Sequence, residues 1–251
     1  MKIHIMTWNT GLFKNTNPDA NNVTNIFNEV ENYINNGENN GEKVVVILQE
    51  IPYKYKDERN RWGYNPIFRL FLNKFQADHN IICLTGDKFF HIKMTVVITH
   101  KQNKNNKFNA IECRDMKTTN IFVPFKLQNS SLSLQILGVH SHSAHELREW
   151  LSQQPLAPDM IIGDFNAGNY KKDIETGDFV LNRREYLMLT EGYFDLCQGE
   201  NTTIYNTQID HVLIRSDLYK KCSNLIVYKE IKLSDHFPIT FDYDIDEDTF
   251  S

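Results

Sequence analysis

Several polar residues of this 251-residue chain stand directly after short apolar runs, at positions where a β-strand would end. They are Asn9, Glu50, His140, Asp164 and Asn166, joined by Asp210 within an apolar segment and by Asp235 and His236 just before another. A strand delivers the side chain at its end to a cleft, so several such residues in one chain indicate a shared site. Taken singly they have ordinary explanations: Asn9 could cap a turn, and Glu50 could end a strand in solvent.

Oxygen donors dominate this set of residues. The carboxylates and amides of Asn9, Glu50, Asp164, Asn166 and Asp235 suit a hard cation such as Mg²⁺ or Mn²⁺ far better than zinc. Magnesium retains several waters and needs only one or two carboxylates, which matches ligands scattered along a chain. The two histidines of the set then remain available for proton transfer.

His211 is the exception among the candidate residues, although it adjoins Asp210. Neighbouring side chains on a strand point to opposite faces, so these two residues cannot easily share one site. We therefore expect His211 to be an ordinary strand residue that points away from the cleft.

Six short motifs follow one another along the chain. They are TWNT (7–10), LQE (48–50), GVH (138–140), GDFNA (163–167), IDHVL (209–213) and SDHFPI (234–239). In this order they resemble the motif set of the endonuclease/exonuclease/phosphatase superfamily, whose best-known member is deoxyribonuclease I. The resemblance spans nearly the whole chain, and six ordered motifs are far more specific together than any one alone. It implies a four-layer α/β sandwich, in which two mixed β-sheets pack face to face with helices outside.

The resemblance also implies a metal site for Mg²⁺, with Mn²⁺ as an alternative. Glu50 would be the main ligand, with Asn9 beside it and Asp235 close enough to assist. A metal on Glu50 would neutralise negative charge at the phosphate that otherwise repels the attacking hydroxide. The number of metal ions, one or two, stays open.

The same resemblance assigns roles to five catalytic residues. Asp164 would position the attacking water, and Asn166 would hold the scissile phosphate. His236, oriented by Asp210, would be the general base or a phosphate contact. His140 would act across the phosphate, near the leaving group. The implied reaction is hydrolysis of a phosphodiester by in-line attack of water.

The chain departs from the sequence patterns of two branches of the superfamily, and these departures reduce the number of candidate substrates. The segment 138–142 differs from the pattern of abasic-site endonucleases, and 202–207 offers little of their aromatic-lined pocket. Ala167, Gly168 and the 209–211 segment differ from the inositol polyphosphate 5-phosphatases. A deoxyribonuclease I-like endonuclease is favoured over a sphingomyelinase-like phospholipid phosphodiesterase, because no long apolar hairpin suited to a membrane is evident. A small-molecule phosphatase and a catalytically silent binding scaffold stay open as alternatives.

The segment 59–64 is the candidate substrate loop of such a nuclease. Arg59 and Arg61 could contact phosphates, and Trp62 could stack on a base or sugar. The alternative is that the aromatic residues here are buried anchors of the following helix.

The charge distribution argues against a stable nucleic-acid-binding module. The formal charge is −5, and the segment 242–248 contains five acidic residues without Lys or Arg, so the remaining chain is close to neutral. A strongly basic face, the usual footprint of tight nucleic-acid binding, is absent. A nucleic-acid substrate would therefore be bound weakly, and 242–251 is predicted to be a solvated acidic tail.

A coarse reading of the chain gives alternating strands and helices. One helix is predicted at 20–36 with Asp19 as N-cap and Gly37 beyond its end, a second at 66–78, and a third from the capping box at Ser143 to Gln154. Strands are predicted at 2–7, 44–48, 94–99, 109–114, 119–126, 132–139, 160–162, 209–214, 225–228 and 239–243, and a hairpin tip at 101–107. No repeat or linker divides the chain, so 1–251 is predicted to be a single domain.

The sequence lacks the patterns that would indicate secretion or insertion into a membrane. Cys83, Cys113, Cys197 and Cys222 lie far apart without a metal-binding spacing, which favours reduced, packed thiols. No apolar stretch approaches the roughly 20 residues that span a bilayer, and no leader is evident. We expect a cytoplasmic protein without a transmembrane segment, with secretion as the alternative if a signal peptide has been removed.

Overall fold

The computed structural model describes residues 2–86, 88–101, 109–129, 133–169 and 178–245. Its strands in chain order are β1 (Lys2–Asn9), β2 (Lys43–Pro52), β3 (Lys54–Lys56), β4 (Trp62–Tyr64), β5 (His79–Ile82), β6 (Lys93–His100), β7 (Asn109–Glu112), β8 (Phe122–Gln128), β9 (Ser133–His140), β10 (Met160–Asn169), β11 (Tyr193–Asp195), β12 (Gln208–Arg215), β13 (Cys222–Val227) and β14 (Ile239–Asp244). The helices are α1 (Asn21–Asn39), α2 (Pro66–Phe75), α3 (Ala144–Ser152) and α4 (Asp178–Leu189).

Two six-stranded sheets form the centre of the molecule. Their strand orders are β13-β14-β1-β2-β6-β5 and β11-β12-β10-β9-β8-β7. Each sheet is mixed, because its central pair is parallel, β1 with β2 and β9 with β10, while the flanking strands run antiparallel. Parallel central strands point their carboxyl ends to one edge, where the candidate residues of both sheets can meet.

Three apolar clusters show how the layers pack. One joins the inner faces of the two sheets, with Ile5 and Ile47 from the first and Ile136 and Ile162 from the second. Another packs α1 and α2 on the outer face of the first sheet, and the third packs α3 and α4 on the outer face of the second. The predicted four-layer α/β sandwich is therefore confirmed.

The first two helices show why apolar periodicity was a good guide. In α1 the residues Val23, Ile26, Phe27, Val30 and Ile34 are buried at helical spacing. In α2 the cap is Asn65, whose side chain accepts a hydrogen bond from the Ile67 amide, and Pro66 occupies the first turn. None of the helices described is long and apolar enough to cross a bilayer.

The ends predicted for α1 were wrong. Ala20, not Asp19, is the N-cap, and it provides no side-chain hydrogen bond. Gly37 lies within the helix rather than beyond it. A side chain at this position would place its Cβ 2.4 Å from Val44 Cγ2, so this glycine permits close packing of α1 on β2 instead of stopping the helix.

The acidic C-terminal segment is also corrected in part. Asp242 and Asp244 belong to β14, and Asp242 is buried, where it accepts a hydrogen bond from Asn224 and pairs with His4. The strand is therefore ordered structure, not the start of a solvated tail. Residues 246–251 of the predicted tail and 102–107 of the predicted hairpin tip lie outside the described residues.

Candidate active site

A cavity of about 350 Å³ lies at the edge where the central strands of both sheets end. Its lining residues are Asn9, Phe13, Glu50, Lys93, His140, His142, Asp164, Asn166, Asp235 and His236. Seven of the eight residues predicted as catalytic or metal-binding line this cavity. The eighth, Asp210, lies directly behind His236.

Asp164 is the centre of the hydrogen-bond network. Its Oδ2 accepts from Asn9 Nδ2 at 2.8 Å and from Asn166 Nδ2 at 3.2 Å, and its Oδ1 accepts from the Asn166 amide at 2.8 Å. The Nε2 atoms of His140 and His236 lie 3.7 and 3.9 Å from Oδ2. A fully buried carboxylate is thus held between two imidazoles. Burial, followed by the charge of Asp210, raises the pKa of Asp164.

His236 is oriented by Asp210, as the motifs predicted. Its Nδ1 lies 2.9 Å from Asp210 Oδ2, which turns Nε2 toward the cavity. Burial lowers the pKa of His236, but the charge and hydrogen bond of Asp210 outweigh it and raise the pKa to about 10. Trp8 Nε1 donates to the His236 carbonyl at 3.0 Å, which fixes this segment to β1.

Glu50 lies opposite, in an irregular part of β2. The pairing of β2 with β6 shifts register between Leu48 and Ile51, and Glu50 itself has φ 58°. Left-handed backbone is unusual for a non-glycine residue and clusters at functional sites. Burial works to raise the pKa of Glu50, but hydrogen bonds from His140 and Lys93 outweigh it and hold the pKa below its usual range.

Asn166 shares this unusual backbone, with φ 47° in the irregular part of β10. Its carbonyl accepts a hydrogen bond from Asn182 of α4 at 2.7 Å, and its side chain donates to the Ser141 carbonyl. Just before it, Gly163 has φ 139°, and a Cβ there would lie 2.1 Å from the Val139 carbonyl oxygen. The glycine of the GDFNA motif is therefore required for β9 and β10 to approach at the site.

The donor atoms fit a hard cation. Among the described residues Glu50 Oε1 lies 2.8 Å from Lys93 Nζ and 3.2 Å from His140 Nε2, and no hydrogen bond reaches Oε2. Glu50, Asn9 and Asp235 together offer carboxylate and amide oxygens only, the set that magnesium or manganese prefers.

A second set of potential metal ligands consists of Asp164, Asp210 and His236, whose ligand atoms lie within 4.8 Å of one another. Two of these residues are already engaged in a hydrogen bond with each other, between His236 Nδ1 and Asp210 Oδ2.

The predicted substrate loop lies apart from the lining of the cavity. Arg61 forms an exposed ion pair with Asp57 at 2.8 Å, and Asp57 also accepts from the Arg59 amide. Trp62 is 37% exposed, and its ring centroid lies 5.7 Å from that of Phe90. Arg59 and Arg61 thus belong to the surface turn between β3 and β4, while Trp62 begins β4; the alternative of a buried aromatic anchor applies to Tyr64 and not to Trp62.

Other expectations concerned residues around the site. His211 points away from the cavity, as expected, with Nδ1 2.9 Å from Asp195 Oδ2 and Nε2 2.7 Å from the Ala167 carbonyl. All four cysteines are free thiols.

Lys93 and Phe13 were not predicted, because neither follows an apolar run. The only signal for Lys93 was its place at the first residue of an apolar strand.

The comparisons with known proteins agree with this geometry at the level of the fold. No family model and no curated protein matches the chain. Among solved structures, the AP endonuclease LMAP from Leishmania major matches with a TM-score of 0.66 at 12% identity, covering 98% of this chain and 88% of that one.

Two further structures show the same similarity. The endonuclease domain of TRAS1, a telomere-specific non-LTR retrotransposon, has a TM-score of 0.61 at 12% identity, covering 97% of this chain and 98% of that domain. The 3′ phosphatase NExo from Neisseria, bound to product DNA hairpin, has a TM-score of 0.57 at 15% identity, covering 96% and 99%. The chain therefore has the fold of the endonuclease/exonuclease/phosphatase superfamily, as the motifs indicated.

Proposed function

We propose that the chain is a divalent-metal-dependent phosphoesterase that hydrolyses phosphodiester bonds, with nucleic acid as its substrate in the manner of a deoxyribonuclease I-like endonuclease. The observation that carries this proposal is the position of Asp164. Asn9 and Asn166 hold its carboxylate, two histidines flank it, and Glu50 shares the same cavity. Such a site can align a water and surround a phosphate with hydrogen-bond donors and positive charge.

Each residue has a task in the proposed reaction. Asp164 accepts a hydrogen bond from the attacking water, orients it in line with the bond that breaks, and takes up its proton as the new bond to phosphorus forms. Asn166 donates to a non-bridging phosphate oxygen, and His236, fixed by Asp210, donates to the phosphate from its Nε2. His140 faces the reaction from the other side of Asp164 and protonates the leaving oxygen. Mg²⁺ or Mn²⁺, held by Glu50 with Asn9 and Asp235, supplies charge neutralisation when bound.

The surroundings of the cavity favour an extended substrate. A second cavity of about 650 Å³ adjoins the first, and Asp235 lines both. Lys229 and Lys232 line it together with the apolar side chains of Ile204 and Phe237. Lysines suit neighbouring phosphates and apolar walls suit a sugar or base, which matches a chain of nucleotides better than a small phosphate ester. The fold neighbours include endonucleases and a phosphatase bound to a DNA product, which agrees with this substrate.

One assay panel tests the proposal. Purified protein with Mg²⁺ is incubated with duplex DNA, single-stranded DNA, RNA, sphingomyelin and phosphoinositides, with EDTA and Asp164→Asn as controls. We expect nicking of DNA that requires the metal and is lost in the variant. Cleavage of sphingomyelin or phosphoinositides alone would replace the nucleic-acid substrate with a lipid, and hydrolysis of none would indicate a binding scaffold. Full activity in chelator would refute the metal site.

A further inference from the structure

Lys93 forms an ion pair inside the candidate active site that the motifs do not explain. It is the first residue of β6, and its Nζ lies 2.8 Å from Glu50 Oε1 and 4.5 Å from the centroid of the Phe13 ring. Its side chain is 18% exposed and that of Glu50 is 12% exposed. The ammonium group therefore lies in the cavity wall and not on the protein surface.

The backbone around this pair brings the lysine to the site. Pro52 of β2 pairs with Lys93, and the register shift after Leu48 places Glu50 outside the regular ladder. The Lys93 carbonyl accepts a hydrogen bond from Asn120 Nδ2, which links the start of β6 to the segment that precedes β8 of the second sheet. The position of the ammonium group thus follows from ordered strands and not from a loop.

Fold stability alone is a poor explanation for this arrangement. Desolvation of two charges offsets most of their attraction, so a partly buried ion pair is weak evidence for a stabilising role. A lysine stem is flexible and carries three donors, which allows one ammonium group to contact two anions at once. The neighbouring face of the cavity presents His140, Asn166 and His236, the residues assigned to the phosphate.

We propose that Lys93 is a catalytic cation that bridges Glu50 and the scissile phosphate, donating to a non-bridging oxygen of the substrate. This inference rests on the proposed phosphoesterase function. Lys93 and His140 both approach Oε1 of Glu50, and no hydrogen bond reaches Oε2 among the described residues. The lysine and a bound metal would share this carboxylate. Their like charges repel, so each weakens the binding of the other, while both stabilise the anionic phosphate.

The proposal predicts opposite effects on metal binding and on catalysis. In Lys93→Met, which keeps an unbranched side chain of nearly the same length and removes the charge, Mg²⁺ or Mn²⁺ should bind roughly tenfold more tightly in calorimetry without substrate. Inorganic phosphate should bind to the metal-free variant more weakly than to the wild type. The kcat for a DNA substrate should fall roughly 10²-fold, the scale for a lost donor to transition-state charge. Lys93→Arg should restore a part of the phosphate binding and of kcat.

Lys126→Met is the matched control, because this lysine pairs with Asp115 at 2.7 Å without lining the cavity. It should leave all three measurements unchanged. If Lys93→Met weakens metal binding and lowers kcat together, the lysine only positions Glu50 and the proposal is wrong. Unchanged phosphate binding and kcat would also overturn it. The two calorimetric measurements need no turnover, so they test Lys93 even where the panel of substrates disproves the phosphoesterase function.

Discussion

Glu50 has a combination of properties that a structural glutamate does not need. Its side chain is partly buried, one of its carboxylate oxygens accepts a hydrogen bond from the Lys93 ammonium group, and its backbone is left-handed with φ 58°. A strained conformation at a partly buried acid persists only when the surrounding structure fixes it, here through the irregular pairing of β2 with β6. This arrangement points the carboxylate into the cavity at the end of the strand.

Glu50→Gln is predicted to raise the metal concentration required for hydrolysis. The amide keeps the shape of the side chain but removes the charge that attracts the cation, so half-maximal activity should need roughly tenfold more Mg²⁺ or higher. Titration of activity against Mg²⁺ measures this shift. Glu112→Gln is the control, because Glu112 accepts from Thr118 on an exposed strand. An identical Mg²⁺ requirement in wild type and Glu50→Gln would remove this residue from the metal site.

The histidines of the site are predicted to differ in importance. His140→Ala and His236→Ala should each lower kcat by roughly 10²-fold, the usual scale of a lost general acid or base. His142 also lines the cavity, but its side chain is 65% exposed and its Nδ1 lies 3.0 Å from Glu146, so His142→Ala should cost little. Steady-state kinetics of the three variants test this ranking. Equal losses at His140 and His142 would show that the GVH motif was aligned two residues too early.

At the scale of elements, β10 and β12 form the support for the candidate catalytic residues. β12 presents Asp210 to the cavity, and its next residue, His211, faces the opposite side. There His211 bridges Asp195 of β11 and the Ala167 carbonyl of β10. Asp195 also accepts hydrogen bonds from Tyr186 and Gln208. This buried cluster fixes the backbone that follows Asn166, on the side remote from the cavity.

Asp195→Asn is predicted to destabilise the fold by about 3–5 kcal/mol near pH 6, because it leaves the fully buried His211 without its charge partner. Burial opposes both charges, but their mutual attraction lowers the pKa of Asp195 and raises that of His211. The contribution of Asp195 is present above its ordinary pKa and lost as the pH falls through its lowered one. That of His211 is present below about pH 6.5 and lost as the pH rises through its raised pKa.

Urea denaturation from pH 3 to 8 measures this effect. The difference between wild type and Asp195→Asn should be largest near pH 6 and should begin to narrow below about pH 4, where the carboxylate of Asp195 takes up a proton in the unfolded chain; it should vanish only as the pH falls through the lowered pKa of the folded protein. Asp217→Asn is the control, because this residue pairs with Arg215 on the surface. A difference that does not depend on pH would show that the cluster acts through packing and not through charge.

The elements that the sequence predicted share a clear local pattern. α1, α2 and the central strands have apolar residues at helical or strand spacing, and Asn9, Glu50, His140 and Asp164 lie in these strands directly after or close behind the apolar runs. α4 was not predicted, because it has no single apolar stripe: Leu181, Leu187 and Met188 are exposed. It nevertheless supports the site through Asn182.

Contacts between segments that lie far apart in the sequence could not be predicted either. Lys93 reaches Glu50 only through the pairing of β6 with β2, and Asp195 reaches His211 only through the pairing of β11 with β12. Neither residue has a local pattern that distinguishes it from a surface charge. The segment 202–207 was expected to offer little of a pocket wall, yet Ile204 and Asn206 line the second cavity together with Asn201 just before them. Leu233 and Phe237 complete that wall from another segment.

At the scale of the whole molecule, the substrate prediction concerns intact DNA. Recognition of an abasic lesion requires an apolar, aromatic-walled pocket that offsets the cost of extruding a nucleotide. The second cavity has Lys229, Lys232 and two asparagines beside its apolar residues, so it suits a backbone better than a flipped sugar. We predict that matched duplexes with and without a tetrahydrofuran abasic analogue are cut at similar rates with Mg²⁺ at low salt. Incision confined to the analogue would instead indicate an abasic-site endonuclease.

The salt dependence follows from the overall charge. With a formal charge of −5, the protein has no general attraction for DNA, and binding relies on local contacts with phosphates. Cleavage of intact duplex should therefore fall steeply between about 50 and 200 mM salt, because counterions compete for those contacts. Initial rates in a KCl series measure this decline. Hydrolysis of a small diester such as bis(p-nitrophenyl) phosphate is the control and should change little.

The hydrogen bond from Asn9 to Asp164 joins residues that are 155 positions apart and belong to different sheets. Neither sheet alone contains the complete set, since Glu50 comes from the first and His140 from the second. The site therefore comes into existence only when the two sheets close over their shared core, which depends on contacts between segments distant in the sequence. The proposed hydrolytic activity would in this sense report sandwich closure: in a refolding experiment its recovery can accompany the burial of the inter-sheet core but cannot precede it.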